Sequence, residues 1–395
     1  MKLASILIAG IFILTGVSIR AAESIKVKLA PADEDRRYVA MSVLVPLDAL
    51  KRLFVVRDVD TGQTLACQGE SAANTGGQRI HWLVPQVAKG TARTFSVEQT
   101  EQAAKGGVSI VEKDGCLSIS NAAREITRYQ FGGVFEKYKK PYFYPLMVGA
   151  TNLCRGFPMD PRPGESNDHP HHTGIWFAHG EVNNVEYWSK EPIRHAKFVL
   201  KESGLVMAHV VAENRWGENV IERQDVCIYD VGDDVLMDWA ITLTAVGKPV
   251  ELGKTKEGGF SVRVATELTS PEPGKNKQPA KDRGDGKMAD ALGNQDEPPI
   301  REHAANWADN YGVIGGRTVG VAIMNHPQSW RYPTNWHVRN YGLFAANAFF
   351  VQGPHTLEPG KPITLRYRLY AHNGDPKEAG VQAVYAGYAA TAAAE

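Results

Sequence analysis

Four of the twelve histidines in this 395-residue chain fall in one run, Asp168-His169-Pro170-His171-His172-Thr173-Gly174-Ile175-Trp176-Phe177-Ala178-His179. Imidazole exchanges protons near neutral pH, ligates metals and hydrogen-bonds sugar hydroxyls. Read as an extended strand, the run places His169, His171, Thr173, Ile175, Phe177 and His179 on one face, and His172, Gly174, Trp176 and Ala178 on the other. A rise of about 3.3 Å per residue then sets His169 and His171 roughly 7 Å apart, and His171 and His179 roughly 26 Å apart. The first pair can converge on one small ligand. His179 cannot join them unless the chain bends. Pro170 and Gly174 argue for a loop that feeds a strand at Ile175–Ala178, and loop rims are where function concentrates.

Two later segments offer partners. Glu257 precedes Gly258-Gly259, where backbone can approach a ligand or another strand; it is the best single candidate for a carboxylate acid or base. Lys256 or Arg263 could lower its pKa by direct pairing, and a surface ion pair at a bulge is the competing reading. Asp309 lies in Trp307-Ala308-Asp309-Asn310-Tyr311-Gly312. The loop His326 to Arg339 carries His326, Trp330, Arg331, Tyr332, Trp336, His337 and Arg339, which reads as a binding rim stiffened by prolines. Its aromatics could instead cap the core. Between these, Glu181 to Trp188 combines asparagines, acids and aromatics in a composition that suits a glycan. The candidates are therefore His171, His172, Glu257 and Asp309 for catalysis. His169, Trp176, Asn184, Lys256, Arg263, His326, Arg331, Trp336, His337 and Arg339 are candidates for substrate binding. A metal would need Asp168, His326, His337 or Asp309 to complete a His169–His171 pair. No standard metal signature appears, so no ligand is assigned, and a divalent cofactor stays open.

The elements that must position these residues read as β. Candidate strands at 40–46, 54–58 with 64–68, 108–112 with 116–119, 225–230 with 235–243, and 319–324 alternate with Gly/Asp/Asn turns, the pattern of an antiparallel sandwich. A short helix is expected near 47–51. Residues 270–300, rich in proline and charge, read as a surface insertion. Residues 1–22 have the charged start, apolar stretch and small-residue exit of a signal peptide. The expected organisation is one large β-sandwich domain over 23–388, with a frayed tail at 389–395 and a periplasmic or secreted location. Lysine plus arginine and aspartate plus glutamate both number 44, so the formal charge is zero. That balance argues against nucleic acid, and no run after the leader is apolar enough to span a bilayer. The four cysteines have no zinc-ribbon spacing; buried thiols and a disulfide are equally open.

The stretches Asp168–His172 with Gly174–Gly180, Thr255–Phe260, His326-Pro327, Tyr332-Pro333 and Trp336–Arg339 resemble a bacterial family labelled "methane oxygenase PmoA", also described as a domain of unknown function. The resemblance covers roughly 123–371. It implies a secreted protein with a mutarotase-like β-supersandwich, in which His171 or His172 would act as acid and Glu257 as base on a sugar ring. The carboxyl-terminal glutamate of mutarotases has no counterpart here. The expectation is thus an exported carbohydrate enzyme, with glycoside hydrolysis or lysis ahead of epimerisation. Hydrolysis needs two carboxylates, for which Glu257 and Asp309 stand first and Asp168 in reserve. A glycan-binding sandwich using Trp176, Trp188, Trp330 and Trp336 is the alternative. A copper or iron oxygenase built on His169, His171 and His326 or His337 is a third.

Overall fold

The computed structural model describes residues 6–7, 24–46, 53–72, 77–102, 106–271 and 284–391. The expected leader, apart from residues 6–7, and the expected helix near 47–51 lie outside these residues. No helix among the described residues is long and apolar enough to cross a membrane.

The described chain divides into two compact units. The first comprises residues 1–107, 204–206 and 382–395. Two antiparallel groups of strands enclose its core: Ile25–Leu29, Arg93–Thr100 and Leu53–Asp58, and Arg36–Val45, Gly77–Val87 and Cys67–Ala72. Trp82 and Phe95 meet there with ring centroids 5.8 Å apart. Most of the helix Val381–Ala389 belongs to this unit, and its Val384, Tyr385 and Tyr388 are buried.

The second unit, residues 108–203 and 207–381, is an antiparallel β-sandwich. Its eight-stranded sheet runs in the order Ile193–Glu202, Met207–Trp216, Val220–Tyr229, Val235–Ala245, Ile363–Asn373, Arg317–Asn325, Trp307–Ile314 and Lys287–Asp290. Strand Val235–Ala245 shows why a sheet forms. Val235, Met237, Trp239, Ile241, Leu243 and Ala245 are buried on one face, and Leu236, Asp238, Ala240, Thr242 and Thr244 occupy the other. The facing nine-stranded sheet includes, in order, Trp336–Val338, Leu343–Ala346, Gly258–Arg263, Ile175–His179 and Tyr142–Val148. Aromatic contacts join the two: Phe143 meets Trp239 at 5.3 Å, and Phe260 meets Trp239 at 4.8 Å and Tyr367 at 5.1 Å.

The expected insertion is partly ordered sheet. Lys287–Asp290 is an edge strand and Glu297–Ile300 a helical turn, while 272–283 lie outside the described residues. The expected rim loop likewise ends in a strand at Trp336–Val338. All four cysteines are free.

Two glycines hold the sheet that carries the histidine run. Gly174 has φ +58, and a Cβ there would stand 2.2 Å from the Phe143 carbonyl oxygen; Gly259 has φ +98, and a Cβ there would stand 2.1 Å from that of Ala346. Gly174→Ala is expected to cost at least about 1–2 kcal/mol from the backbone conformation alone. An unchanged midpoint in urea denaturation would rule out that constraint.

Candidate functional site

Strand Ile175–His179 lies between Tyr142–Val148 and Gly258–Arg263, and all five of its residues are buried. The histidine loop enters this strand at Gly174. A turn in which the His172 N–H donates to the His169 carbonyl (3.0 Å) bends it, with His169 at φ 42. Lys256 and Glu257 lead into the adjacent strand, and His337 sits on the strand two places further along the same sheet. One sheet therefore brings together three segments that are far apart in sequence.

They line a cavity of about 370 Å³. Its lining comprises His169, His171, His172 and Tyr341, then Lys256, Glu257, His337 and Arg339, and then Glu186, Trp188 and Ser189. Glu186 accepts hydrogen bonds from both the backbone N–H and the hydroxyl of Ser189, each at 2.7 Å, which fixes its carboxylate in the turn.

Behind the histidine wall, Asp168 Oδ1 receives Arg155 Nη1 at 2.6 Å and Arg263 Nη2 at 2.5 Å. Both guanidiniums are buried, and a buried charge needs such a partner. Asp168 Oδ2 lies 3.0 Å from His169 Nδ1. Burial alone would raise the Asp168 carboxyl; the hydrogen bond to His169 and the charges of Arg263 and Arg155 override it and hold the carboxyl well below its ordinary range. Arg263 Nη1 is also 3.2 Å from His172 Nδ1. Guanidinium only donates, so His172 accepts at Nδ1 and carries its proton on Nε2.

The wall is a pile of parallel rings. Tyr341 stacks on His169 (4.9 Å, 9°), His169 on His172 (4.8 Å, 11°), and His172 on Trp176 (5.3 Å, 22°). His171 meets His172 edge-on at 4.5 Å. Arg263 and Arg339 lie 4.8 Å and 5.2 Å from the Tyr341 ring centre, and Arg339 is anchored by buried Glu297 at 3.1 Å.

His171, His172 and His337 are neutral at neutral pH. Burial, the nearby Lys140 and His169 bring His171 down to about 4. Burial and Arg263 hold His172 well below its ordinary value. Burial, Arg301 and Arg339 bring His337 to about 3. Lys140 is itself buried, donates to the Trp188 carbonyl at 2.7 Å and is brought down to about 7 by burial.

Seven sequence candidates line this cavity: His169, His171, His172, Lys256, Glu257, His337 and Arg339. Arg263 and Trp176 support the wall from behind. Five lie elsewhere. Asp309 is fully buried, 3.0 Å from His372 Nε2 in the eight-stranded sheet, and cannot serve as the second carboxylate. Trp336 is fully buried and donates its indole N–H to the Ala305 carbonyl. Arg331 donates to the carbonyls of Ala348, Gly353 and Pro354. His326 is buried and accepts the Gln328 N–H at 3.1 Å. Asn184 is exposed in a turn at φ 64. His179 is tied to the Gly253 carbonyl at 3.0 Å and stands apart from the cavity, as strand geometry requires. Glu186, Ser189, Tyr341, Arg155 and Lys140 were not among the candidates; the polar turn after the histidine strand was the available signal for Glu186.

Residues 116–386 match the model of a family described as "Family of unknown function (DUF6807)". The chain belongs to that family. Every cavity residue of this DUF6807 protein falls inside the matched span. No curated protein matches the chain. Among solved structures, it is similar to a protein in the glycosyl hydrolase family 38 from Enterococcus faecalis, at 12% identity and a TM-score of 0.41, with 92% of this chain and 46% of that chain covered. The chain thus spans less than half the length of that structure.

Proposed function

We propose that this DUF6807 protein is a carbohydrate-active enzyme that cleaves a glycoside by proton transfer, as a lyase or hydrolase, in the cavity of its second unit. The observation that carries this reading is the convergence of the neutral imidazoles of His171, His172 and His337 with two carboxylates, Glu186 and Glu257, on one cavity large enough for a sugar unit. A neutral imidazole takes a proton; it is the natural base for the elimination route. His171 fills that role, and Glu257 beside Lys256 (3.6 Å) is its partner across the cavity. His172, with its proton on Nε2, can donate to a substrate oxygen. If Glu257 and Glu186 act as the carboxylate pair instead, hydrolysis follows.

The rival readings have less support. A stacking glycan-binding face needs several exposed tryptophans, whereas Trp176, Trp188 and Trp336 are buried and the half-buried Trp330 is packed between Arg331 and Phe349. The oxygenase chemistry of the PmoA label needs imidazoles aimed at one point, whereas these rings lie face to face and edge to face.

The test is a screen of polysaccharides for new reducing ends and for the ultraviolet absorbance of an unsaturated uronate. On the substrate found, His171→Ala and Glu257→Gln are expected to lower kcat at least about 100-fold with circular dichroism unchanged. Full activity in both variants would reject the assignment. Unsaturated product would select elimination, and its absence beside new reducing ends would select hydrolysis.

A further inference from the structure

We propose a second site in this protein: a transition-metal site on the outer face of the eight-stranded sheet, formed by His209, Asp225 and Cys227 and suited to a zinc-like dication. His209 and Cys227 are directly opposed on adjacent antiparallel strands, and Asp225 precedes Cys227 by two residues. All three therefore project from the same face, opposite the sandwich core that takes Ala208, Val210, Val226 and Ile228. One ligand atom from each residue lies within 4.8 Å of the other two. Ligand atoms around tetrahedral zinc stand about 3–4 Å apart, given bond lengths near 2.0–2.3 Å, so modest side-chain motion closes the site.

The donor set is mixed: one nitrogen, one carboxylate oxygen and one sulfur, the combination that a borderline-soft dication prefers over magnesium or calcium. His209 Nε2 and Asp225 Oδ1 are hydrogen-bonded to each other at 2.7 Å, so a cation would take the place of the proton between them. Arg223 lies 3.5 Å from the other oxygen, Oδ2, and leaves Oδ1 on the site. Asp238, opposite Cys227 on the next strand, is held by Arg368 through bonds of 2.6 and 2.8 Å and by the Tyr229 hydroxyl. It is committed elsewhere, so three protein ligands leave the fourth position to water. Burial pushes the Cys227 thiol up; the incoming cation must displace its proton, and binding releases that proton to solvent.

This site is independent of the cavity chemistry, and so is its test. Cobalt(II) is titrated into the reduced full-length chain. One equivalent is expected to produce a saturable thiolate-to-cobalt absorption band that zinc(II) abolishes by displacement. No cysteine lines the cavity, so cobalt bound by its histidines gives no such band. Cys227→Ser is expected to remove the band, and Asp225→Asn to weaken cobalt binding roughly tenfold or more. The proposal is overturned by the absence of a saturable band in the native chain, by a band that survives Cys227→Ser, or by unchanged affinity in Asp225→Asn.

Discussion

Asp168→Ala is expected to lower the stability of the second unit by about 2–4 kcal/mol, somewhat below the usual loss for a fully buried pair because the Asp168 side chain is 36 % exposed while both its guanidiniums are buried. Two guanidiniums, Arg155 and Arg263, are fully buried and share one oxygen of this carboxylate. Without it, both charges keep their desolvation cost and lose their counter-charge. Exposure decides the size of the effect. Arg194 and Glu136 are closer to an ordinary pair at 2.8 Å with both side chains more than half exposed, and breaking such a pair costs about 0.2–1 kcal/mol. Urea denaturation of the native chain, Asp168→Ala and Glu136→Ala gives the comparison directly. Equal losses in the two variants would mean that the hydrogen bonds of Arg155 and Arg263 to Ser166 suffice to hold the guanidiniums. Circular dichroism in the tryptophan region should also change in Asp168→Ala, because His169 loses its Asp168 contact and the ring pile ends on Trp176.

Acid should unfold this unit unusually early. His172, His179 and His337 are buried and neutral: His179 is brought to about 4 by burial, His337 to about 3, and His172 well below its ordinary value. In the unfolded chain each titrates near 6.5. Between pH 6.5 and about 4 the unfolded state therefore binds protons that the folded state does not, and stability falls as pH falls. Each of the three contributes about 1.4 kcal/mol of loss per pH unit once well below 6.5. Asp168, held low when folded, adds to the loss at still lower pH, where the unfolded carboxyl takes up a proton. His372 runs the other way. Asp309 raises it above its ordinary value against the effect of burial. Its stabilisation is thus complete below pH 6.5 and is lost as pH rises through the folded value. Glu222, pushed up to about 7 by burial, also runs the other way, because its folded form takes up a proton over this range. His171, brought to about 4, adds to the loss, and four depressed imidazoles against these two groups leave a net acid limb. Unfolding free energies at pH 7.0 and 5.5 should differ by several kcal/mol, and His337→Phe should flatten the slope. A pH-independent stability between 7.0 and 5.0 would contradict the neutral, buried state of these imidazoles.

The hairpins at 109–120 and 220–245 were legible in the sequence because turn residues and alternating burial are local properties. The strand at 175–179 was legible for the same reason, and with it the separation of His179 from His171. The convergence of the histidine loop with Glu257 and the segment around His337 could only be posed as a question, since sheet order is set by long-range pairing. Asp309 shows the limit most clearly. An acid between aromatics looks like a catalytic carboxylate until its partner is known, and His372 stands on a different strand with no motif linking the two. Arg155 shows the converse: nothing near it in sequence hints that it shares a carboxylate with Arg263. The division into two units was hidden because both are β, so composition does not change where one gives way to the other, and residues 382–391 rejoin the first unit only after the whole second unit has been traversed.

The ring pile from Tyr341 to Trp176 has a consequence for selectivity. Each imidazole in it is held by a neighbour on one or both faces, and His172 is further held by Arg263, so none of them can swing to follow a misplaced group. A pocket of this kind discriminates by stereochemistry: two sugars that differ at one carbon present the same atoms, but a hydroxyl that points the wrong way finds no donor able to reach it. On the sugar substrate proposed above, epimers should therefore be separated sharply by this wall, whereas a substituent directed away from it, toward the half-exposed Lys256 and Glu257, should be tolerated.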